Sequence, residues 1–217
     1  MKAVVIGGSG ATGMALINQL LSDNSYTKIV SLVRKQSNIK HHKLNEIIID
    51  FNNLDNFKND IIADVAFSCL GTTLKAAGSK KKQWKIDYEY QYEFARMAKE
   101  NGIEQFVLVS SVGANSKSNF FYTKMKGQLE ESILKLDFKQ TIIFQPPSLI
   151  RPNTDRKGEK LMINLLNVLN SMGLFKSLKP LPVSDLAEAM ILSLVELPEG
   201  KHILKPFDIK NKFFLSH

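Results

Sequence analysis

The sequence is poor in cysteine and has no long apolar run. Cys69 is the only cysteine among the 217 residues, so an intrachain disulfide is excluded and a reducing compartment is expected. No apolar run approaches the ~18 residues that span a bilayer. The first run, Val4–Ile6, ends at a glycine too early for a signal peptide. From these absences we predict a cytoplasmic protein with no membrane partner.

Metal sites and nucleic-acid-binding modules are also missing from the sequence. His41, His42 and His202 have no carboxylates at ligand spacing, so no metal is predicted. The net charge is +8, but the lysines are spread along the chain, and the run at 80–82 is typical of a solvated loop. We therefore predict no nucleic-acid partner, although a basic surface steers small anionic ligands toward the protein.

The apolar pattern predicts an α/β fold with a Rossmann-type, doubly wound parallel sheet. The length of 217 residues fits a single domain over 1–217, with about 148–217 on the substrate side of the cleft. Because parallel crossovers are right-handed, the cleft is expected at the carboxyl ends of the strands. The predicted strands are 2–6, 28–33, 46–50, 65–70, 106–111 and 141–144.

Helical spacing predicts three further segments. One helix covers about 83–101, ends at Gly102 as a left-handed cap, and buries Asp87, Gln91, Phe94, Ala95 and Ala98. A second covers 159–172. A third begins at Val183-Ser184-Asp185 with a capping residue and buries Leu186, Met190 and Leu194. For Tyr88, Tyr90 and Tyr92, which alternate too quickly for one helical face, a subunit interface and scattered surface aromatics stay equally open.

A glycine-rich turn follows the first strand. Gly7, Gly10 and Gly13 have the spacing G-x-x-G-x-x-G, and a helical pattern begins at Met14. The first glycine permits the turn, the second lets backbone approach a pyrophosphate, and the third lets the helix pack closely on the sheet. The N–H groups at the helix start attract phosphate charge, so the turn predicts a dinucleotide site.

The ends of the second and third strands bear on which dinucleotide binds. Arg34 and Lys35 follow the second strand, where an arginine receives the 2′-phosphate of NADP and an acidic residue would bind the free hydroxyl of NAD. NADP(H) is therefore favoured over NAD(H). Asp50 ends the third strand, and two roles stay open for it: accepting a hydrogen bond from the adenine amino group, or capping the helix that follows.

The fourth strand leads to another cofactor segment. Gly71, Thr72 and Thr73 are predicted to lie along the ribose and phosphates, using backbone and hydroxyl donors. Cys69 is interpreted as a small core residue and not as a nucleophile, because no histidine lies near it in sequence. In the loop before 159–172, Arg151 and Arg156 could meet an acidic substrate group, but charges solvated in a loop are the favoured interpretation.

Tyr122 and Lys126 lie four residues apart and project from one face of a helix. A phenol ionises near pH ~10, so it is a poor acid or base at neutral pH unless an ammonium stabilises its phenolate. Ser111, at the exit of the fifth strand, would hydrogen-bond the substrate oxygen while Tyr122 exchanges the proton. Neighbouring strand residues face opposite ways, so only one of Ser110 and Ser111 lines the cleft, and Ser111 is favoured.

Together these motifs resemble the atypical short-chain dehydrogenase/reductases, and more narrowly the subgroup of the human oxidoreductase that interacts with the HIV Tat protein. The segments that carry the resemblance are GGSGATG at 7–13, VRK at 33–35, CLGTT at 69–73, the pair Asp87-Tyr88, 110–130, and LPVSDLAEAM at 181–190. The chain departs from the Arg-Pro-Gly that relatives often carry after the sixth strand, having Gln145-Pro146-Pro147.

The resemblance implies NADPH binding and a catalytic centre of Ser111, Tyr122 and Lys126. The candidate cofactor-binding residues are Gly7, Ser9, Gly10, Ala11, Thr12, Gly13, Arg34, Lys35, Asp50, Phe51, Leu70, Gly71, Thr72, Thr73, Asp87, Ser110, Lys126 and Pro146.

The predicted function is that of an NADP(H)-dependent oxidoreductase acting on a small carbonyl or alcohol. About seventy residues follow the sixth strand, too few for the cap of sugar-nucleotide epimerases, which argues against a nucleotide-sugar substrate. The alternative is a non-catalytic protein that senses NADP(H) and regulates a protein partner. Whether the chain forms a homo-oligomer or binds another protein stays open.

Overall fold

The computed structural model describes residues 1–151 and 179–214. Its strands, numbered along the chain, are β1 (Lys2–Ile6), β2 (Lys28–Val33), β3 (Leu44–Ile48), β4 (Val65–Ser68), β5 (Gln105–Val109), β6 (Gln140–Phe144), β7 (Leu149–Ile150), β8 (Leu181–Pro182) and β9 (Gly200–Leu204). A seven-stranded parallel sheet has the order β3-β2-β1-β4-β5-β6-β9, and β7 pairs with β8 separately. The sheet confirms the predicted Rossmann-type fold.

Helices cover both faces of this sheet. They are α1 (Ala11–Ser22), a 3-10 helix (Phe51–Asp60), α2 (Leu74–Ala77), α3 (Lys80–Trp84), a π-helix (Lys85–Glu89), α4 (Tyr90–Glu100), α5 (Phe121–Lys135), α6 (Val183–Glu196) and α7 (Pro206–Phe214). One core lies between the sheet and α1, α6 and α7, and the other lies beneath the 3-10 helix, α4 and α5. The strand order reverses between β1 and β4, where dinucleotide-binding folds form their cleft.

The predicted strands agree with the observed ones to within two residues at each end, and β9 is the main omission. Its sequence, Gly-Lys-His-Ile-Leu, contains little apolar character, because β9 is an edge strand paired to β6 alone and most of its residues are partly exposed. A strand that has one partner and a solvent-exposed face does not need the apolar run that identifies a buried strand.

The helix predicted over 83–101 divides into α3, the π-helix and α4. The five residues predicted to be buried are buried, and so are Gln83 and Met97. The three tyrosines point to different neighbours. Tyr88 stacks on Trp84 with ring centroids 4.6 Å apart, whereas Tyr90 packs on Phe51 at 5.3 Å. Tyr92 continues the stack on Tyr88 at 6.3 Å.

The prediction for α6 is right in its buried stripe and wrong in its cap. Leu186, Met190 and Leu194 are buried, but the N-cap is Pro182 and no side chain caps the helix. Ser184 lies inside the first turn, where its hydroxyl donates to Asp185 at 2.9 Å and not to the backbone. Gly102 has φ +79° and follows α4 as predicted. The predicted helix 159–172 and the loop residue Arg156 lie outside the described residues.

Candidate active site

The glycine turn after β1 has the local geometry that the sequence predicts. Gly7 has φ +78°, and a Cβ there would lie 2.6 Å from the backbone carbonyl carbon of Cys69. A Cβ at Gly13 would strike the carbonyl oxygen of Gly7 and lie 2.8 Å from the Cα of Gly8. Helix α1 therefore packs against the turn at a distance that only glycine allows. Gly10 is the N-cap residue of α1 and donates its N–H to Gly7 at 2.9 Å.

A cavity of about 170 Å³ lies beside this turn, next to the carboxyl ends of β1, β2 and β4. Its lining residues are Gly7, Ser9, Gly10, Leu32, Val33, Arg34, Phe51, Cys69, Leu70 and Gly71. Most of them are predicted cofactor-binding residues. Leu32, Val33 and Cys69 line the cavity but were not predicted to bind the cofactor. Glycine backbone, an arginine and an aromatic ring around one opening suit the phosphates and adenosine of a dinucleotide.

Arg34 and Asp50, expected to contact the adenosine half, have different surroundings. Arg34 is exposed, lines the cavity, and forms no hydrogen bond or ion pair with a residue in the described ranges; Lys35 beside it is also exposed. Asp50 accepts from the backbone N–H of Asn52 at 2.9 Å and from Asn53 Nδ2 at 2.6 Å. These hydrogen bonds lower the pKa of its carboxyl. Of the two roles left open for Asp50, the structure displays the capping one.

The segment after β4 is held by its own hydrogen bonds. The Thr72 N–H donates to Asp87 Oδ1 at 2.8 Å. Thr73 is the N-cap of α2, and its hydroxyl accepts from the Ala76 N–H at 3.1 Å, so this hydroxyl already has a structural role. Burial raises the pKa of the Cys69 thiol to about 12. A thiol that stays protonated at neutral pH fits the core role expected for Cys69.

The two serines after β5 face different groups. Ser110 is buried and its hydroxyl donates to Glu130 on α5. Ser111 is half-buried, and among the described residues its hydroxyl makes only a long contact, 3.4 Å, with the carbonyl oxygen of Val112. Ser111 thus has the hydroxyl that is available to a substrate. Pro146 is buried, and its carbonyl accepts from the Val112 N–H at 3.0 Å.

Tyr122 and Lys126 lie one turn apart at the start of α5. Tyr122 is 39% exposed, whereas Lys126 is 2% exposed. Within residues 1–151 and 179–214, no hydrogen bond or ion pair engages the Lys126 ammonium, although its charge acts on the carboxyls of Asp87 and Glu130. An ammonium without a protein acceptor keeps its N–H donors available, so this group is suited to binding the hydroxyls of a ligand.

The two carboxyls near Lys126 are themselves buried and hydrogen-bonded. Asp87, in the π-helix, is 0% exposed and Glu130 is 5% exposed. Gln83 Nε2 donates to Asp87 at 3.4 Å, and Gln145 Nε2 donates to the two oxygens of Glu130 at 3.1 and 2.9 Å. Burial raises the pKa of both carboxyls, while their hydrogen bonds and the Lys126 charge act in the opposite direction.

Sequence reasoning assigned Asp87 to the cofactor and did not identify Glu130. The structure engages the Asp87 carboxyl with Thr72 and Gln83. A signal for Glu130 was present: it lies four residues after Lys126 on the same helix, and residues at this spacing share a face. The spacing alone does not show that this face is buried.

The loop 115–119 rests on α5 at Gly127. A Cβ at Gly127 would lie 2.6 Å from the Asn115 Cα and would strike the backbone nitrogen of Ser116. The Asn115 N–H also donates to the carbonyl oxygen of Thr123 at 2.9 Å. The absence of a side chain at Gly127 therefore lets this loop close over the turn of α5 that carries Tyr122.

Gly127→Ala is expected to lower the free energy of unfolding by ~1–3 kcal/mol, because the added methyl group meets backbone that must move. A loss of stability would indicate the close contact, since a glycine-to-alanine substitution inside a helix normally stabilises a protein by ~1 kcal/mol. Urea unfolding measures the change. Lys135→Ala, an exposed position on the same helix, is the control and should stay within ~0.5 kcal/mol of the parent protein. A more stable Gly127→Ala variant would contradict the close loop packing.

The described part of the chain has neither a metal-binding cluster nor a membrane-spanning helix. No cluster of at least three His, Cys, Asp or Glu side chains there could hold a metal ion, and no helix there has the length and apolar character needed to cross a bilayer. The rings of His41 and His42 stack 4.5 Å apart, and His202 Nε2 lies 2.8 Å from the carbonyl oxygen of Pro198.

Comparison with known proteins agrees with this geometry. Residues 7–150 match the family described as NAD(P)H-binding. The protein FMP52-1, mitochondrial, of Scheffersomyces stipitis is 38% identical over 191 residues, which cover 86% of this chain and 80% of that protein. The protein HTATIP2 of Rattus norvegicus is 31% identical over 212 residues, covering 92% of this chain and 86% of that protein.

A solved structure shares the fold. MoeE5 in complex with UDP-glucose and NAD superimposes with a TM-score of 0.70 and covers 94% of this chain and 75% of that one, at 16% sequence identity. At this identity the similarity concerns the arrangement of strands and helices alone.

The relatives overturn the predicted location. FMP52 proteins of several yeasts, including the one at 38% identity, are named as mitochondrial, which conflicts with the cytoplasmic expectation. That expectation rested on a single cysteine and on the absence of long apolar runs. Neither property distinguishes the cytosol from another reducing compartment, so composition alone could not identify the compartment.

Proposed function

The chain belongs to the NAD(P)H-binding family and has the Rossmann fold of short-chain dehydrogenase/reductases, and from this membership we propose that it is an NADP(H)-dependent oxidoreductase acting on a small carbonyl or alcohol. One observation carries the proposal. The Lys126 side chain is 2% exposed, and its ammonium has no hydrogen-bond acceptor among the described residues, one helical turn from the partly exposed phenol of Tyr122. Its three N–H donors are therefore available to a ligand in the cleft.

The residues around the cleft fit a dinucleotide. At Gly10 a Cβ would have one neighbour within 4 Å, the Gly7 carbonyl oxygen at 3.3 Å, so a ligand has room beside this backbone. The first N–H groups of α1 have no acceptors within their helix. Gly7, Gly10 and the α1 N-terminus would hold the pyrophosphate, Arg34 the 2′-phosphate, and Lys126 the ribose next to the nicotinamide. When bound, the nicotinamide cofactor supplies or accepts the hydride.

The side chains at β5 and α5 would manage the substrate oxygen and its proton. The Ser111 hydroxyl would hydrogen-bond this oxygen and orient it. The Tyr122 phenol would donate a proton to it during reduction or take one during oxidation. The positive charge of Lys126 would stabilise the negative charge that develops on the Tyr122 oxygen as its proton is transferred. Because Tyr122 is partly exposed, it can exchange its proton with solvent between turnovers.

Arg34→Ala is expected to weaken NADPH binding about 10- to 100-fold, because a charge-assisted hydrogen bond contributes ~1.5–3 kcal/mol. NADH lacks the 2′-phosphate, so its affinity should change less than about twofold. Fluorescence titration of both cofactors measures the difference. Lys40→Ala removes an exposed cation elsewhere and controls for net charge. Equal losses for NADPH and NADH would refute the assignment of Arg34 to the 2′-phosphate.

Turnover tests the catalytic part of the proposal. Purified protein is mixed with NADPH and a panel of small aldehydes and ketones, and the reverse direction is assayed with NADP⁺ and the matching alcohols. We expect substrate-dependent oxidation of NADPH. Tight NADPH binding without turnover in either direction would favour the alternative function, a protein that senses NADP(H) and passes its state to a partner.

A further inference from the structure

A buried polar cluster connects Lys126 to the ends of two strands. Its other members are Glu130 on α5, Ser110 after β5 and Gln145 after β6, and all of these side chains are buried. Oxygen Oε1 of Glu130 accepts from the Ser110 hydroxyl and from Gln145 Nε2, and Oε2 accepts from the same amide at 2.9 Å. The carboxyl of Glu130 is therefore fixed in orientation from two directions.

Both groups that orient Glu130 are neutral, so they satisfy its oxygens without balancing its charge. In the described structure, the cation whose charge acts on this carboxyl is Lys126, one helical turn earlier. The other charged neighbour is Glu131 on the same helix, which is exposed and contacts Ser116. A buried carboxyl held by neutral donors is stabilised in its charged form by the nearest ammonium.

Asp87 approaches Lys126 from a different element. The helix before α4 widens into the π-helix at Lys85–Glu89, and the Asp87 carbonyl oxygen within it accepts from Gln91 Nε2 at 2.8 Å. Its carboxyl is held by the Thr72 N–H and by Gln83. Single π turns inside helices are often found at functional sites. This one packs against α5, the helix that carries Lys126, and the charge of Lys126 acts on the Asp87 carboxyl.

We propose that Glu130 and Asp87 are positioning residues for Lys126, which hold its ammonium in place at the cleft. The inference rests on the proposed function, because it assigns a purpose to the position of Lys126. A lysine ammonium without a hydrogen-bond acceptor tends to turn toward water, and two oriented carboxyls on neighbouring elements oppose this movement. The charged groups that face this cluster are Asp87 from the π-helix and Lys126, Glu130 and Glu131 from α5.

A double-mutant cycle in the protein without cofactor tests the inference. Unfolding in urea is measured for Glu130→Gln, Lys126→Met, and the two combined. If Glu130 acts through Lys126, the combined effect on the unfolding equilibrium constant should depart from the product of the single effects by about tenfold. A parallel cycle with Asp87→Asn serves if Glu130→Gln does not fold. Effects that multiply without coupling in every cycle that folds would overturn the proposal.

NADPH affinity provides a readout that a purely structural role would not move. If Glu130 holds the Lys126 ammonium in place, Glu130→Gln should weaken NADPH binding about tenfold in the parent protein and less than about twofold in the Lys126→Met background. Glu131→Gln, which changes the adjacent exposed carboxylate, should leave the affinity of the parent protein unchanged. Equal losses in the two backgrounds would contradict the inference.

Neither readout uses turnover. A protein that is inactive on every substrate can still show the coupling, in which case the proposed function fails and the positioning roles stand. If the protein is active but shows no coupling, the proposed function stands and the positioning roles fail.

Discussion

Tyr122→Phe is expected to lower kcat about 10²- to 10⁴-fold, the range that a positioned general acid or base contributes. The substitution removes only the phenolic oxygen, and Tyr122 is 39% exposed, so folding should be preserved. Because Lys126 is unchanged, NADPH affinity should stay within about threefold. Steady-state kinetics with the best substrate of the carbonyl panel and cofactor titration measure the two quantities separately.

Tyr92→Phe is the matched control for this substitution. Tyr92 is half-buried on α4 and stacks on Tyr88, and its hydroxyl forms no hydrogen bond with a residue that the structure describes. We expect kcat to change less than about twofold. Should Tyr122→Phe retain parental kcat on a substrate that the parent protein turns over, Tyr122 is not the proton donor. A parallel loss in Tyr92→Phe would instead indicate a general effect on α4 and α5.

The second large effect is expected at the glycine turn, where two alanine substitutions should separate folding from cofactor binding. In Gly13→Ala, the new methyl group meets the backbone of Gly7 and Gly8, so α1 must shift from the sheet. We expect a loss of ~3 kcal/mol or more in the free energy of unfolding, at the upper end of overpacking effects. Urea unfolding checks this value, and NADPH binding should be lost together with it.

In Gly10→Ala, a Cβ would have one close neighbour, the Gly7 carbonyl oxygen at 3.3 Å. A shift of a few tenths of an ångström accommodates it, so stability should change by less than ~1 kcal/mol. The methyl group would nevertheless stand where a pyrophosphate approaches, and NADPH affinity should fall about 100-fold. Parental affinity in a folded Gly10→Ala protein would contradict the phosphate site. The control, Lys40→Ala, should affect neither quantity.

Much of the fold was predictable because buried parallel strands are recognisable in sequence. Strands covered on both faces, such as Val65–Ser68, read as apolar runs, and the glycine spacing after β1 indicated which strand begins the cleft. The edge strand Gly200–Leu204 was not predicted, because it is partly exposed and polar and lacks such an apolar run. The cap predicted for α6 failed because serine and aspartate favour N-caps only on average, and Pro182 takes that position here.

The candidate site was predictable where its residues lie close together in the chain. Tyr122 and Lys126 share a helix face, and the turn Gly7–Gly13 is local. The surroundings of these groups involve contacts between distant segments: Glu130 meets Gln145 fifteen residues away, and Asp87 meets Thr72 at the same separation. Periodicity identifies which residues share a face of one element, but it does not identify the side chain that another element brings to that face.

Local backbone chemistry thus suffices for the parallel sheet, the position of the cleft, and the pairing of a phenol with an ammonium on α5, because glycine sterics and helical spacing act within a few residues. The remaining features depend on tertiary packing. Packing gives the Ser110 hydroxyl to Glu130, leaves that of Ser111 available, and buries Lys126 near two carboxyls. Burial and charge balance depend on elements that meet only in the folded chain, so these outcomes follow from three-dimensional contacts.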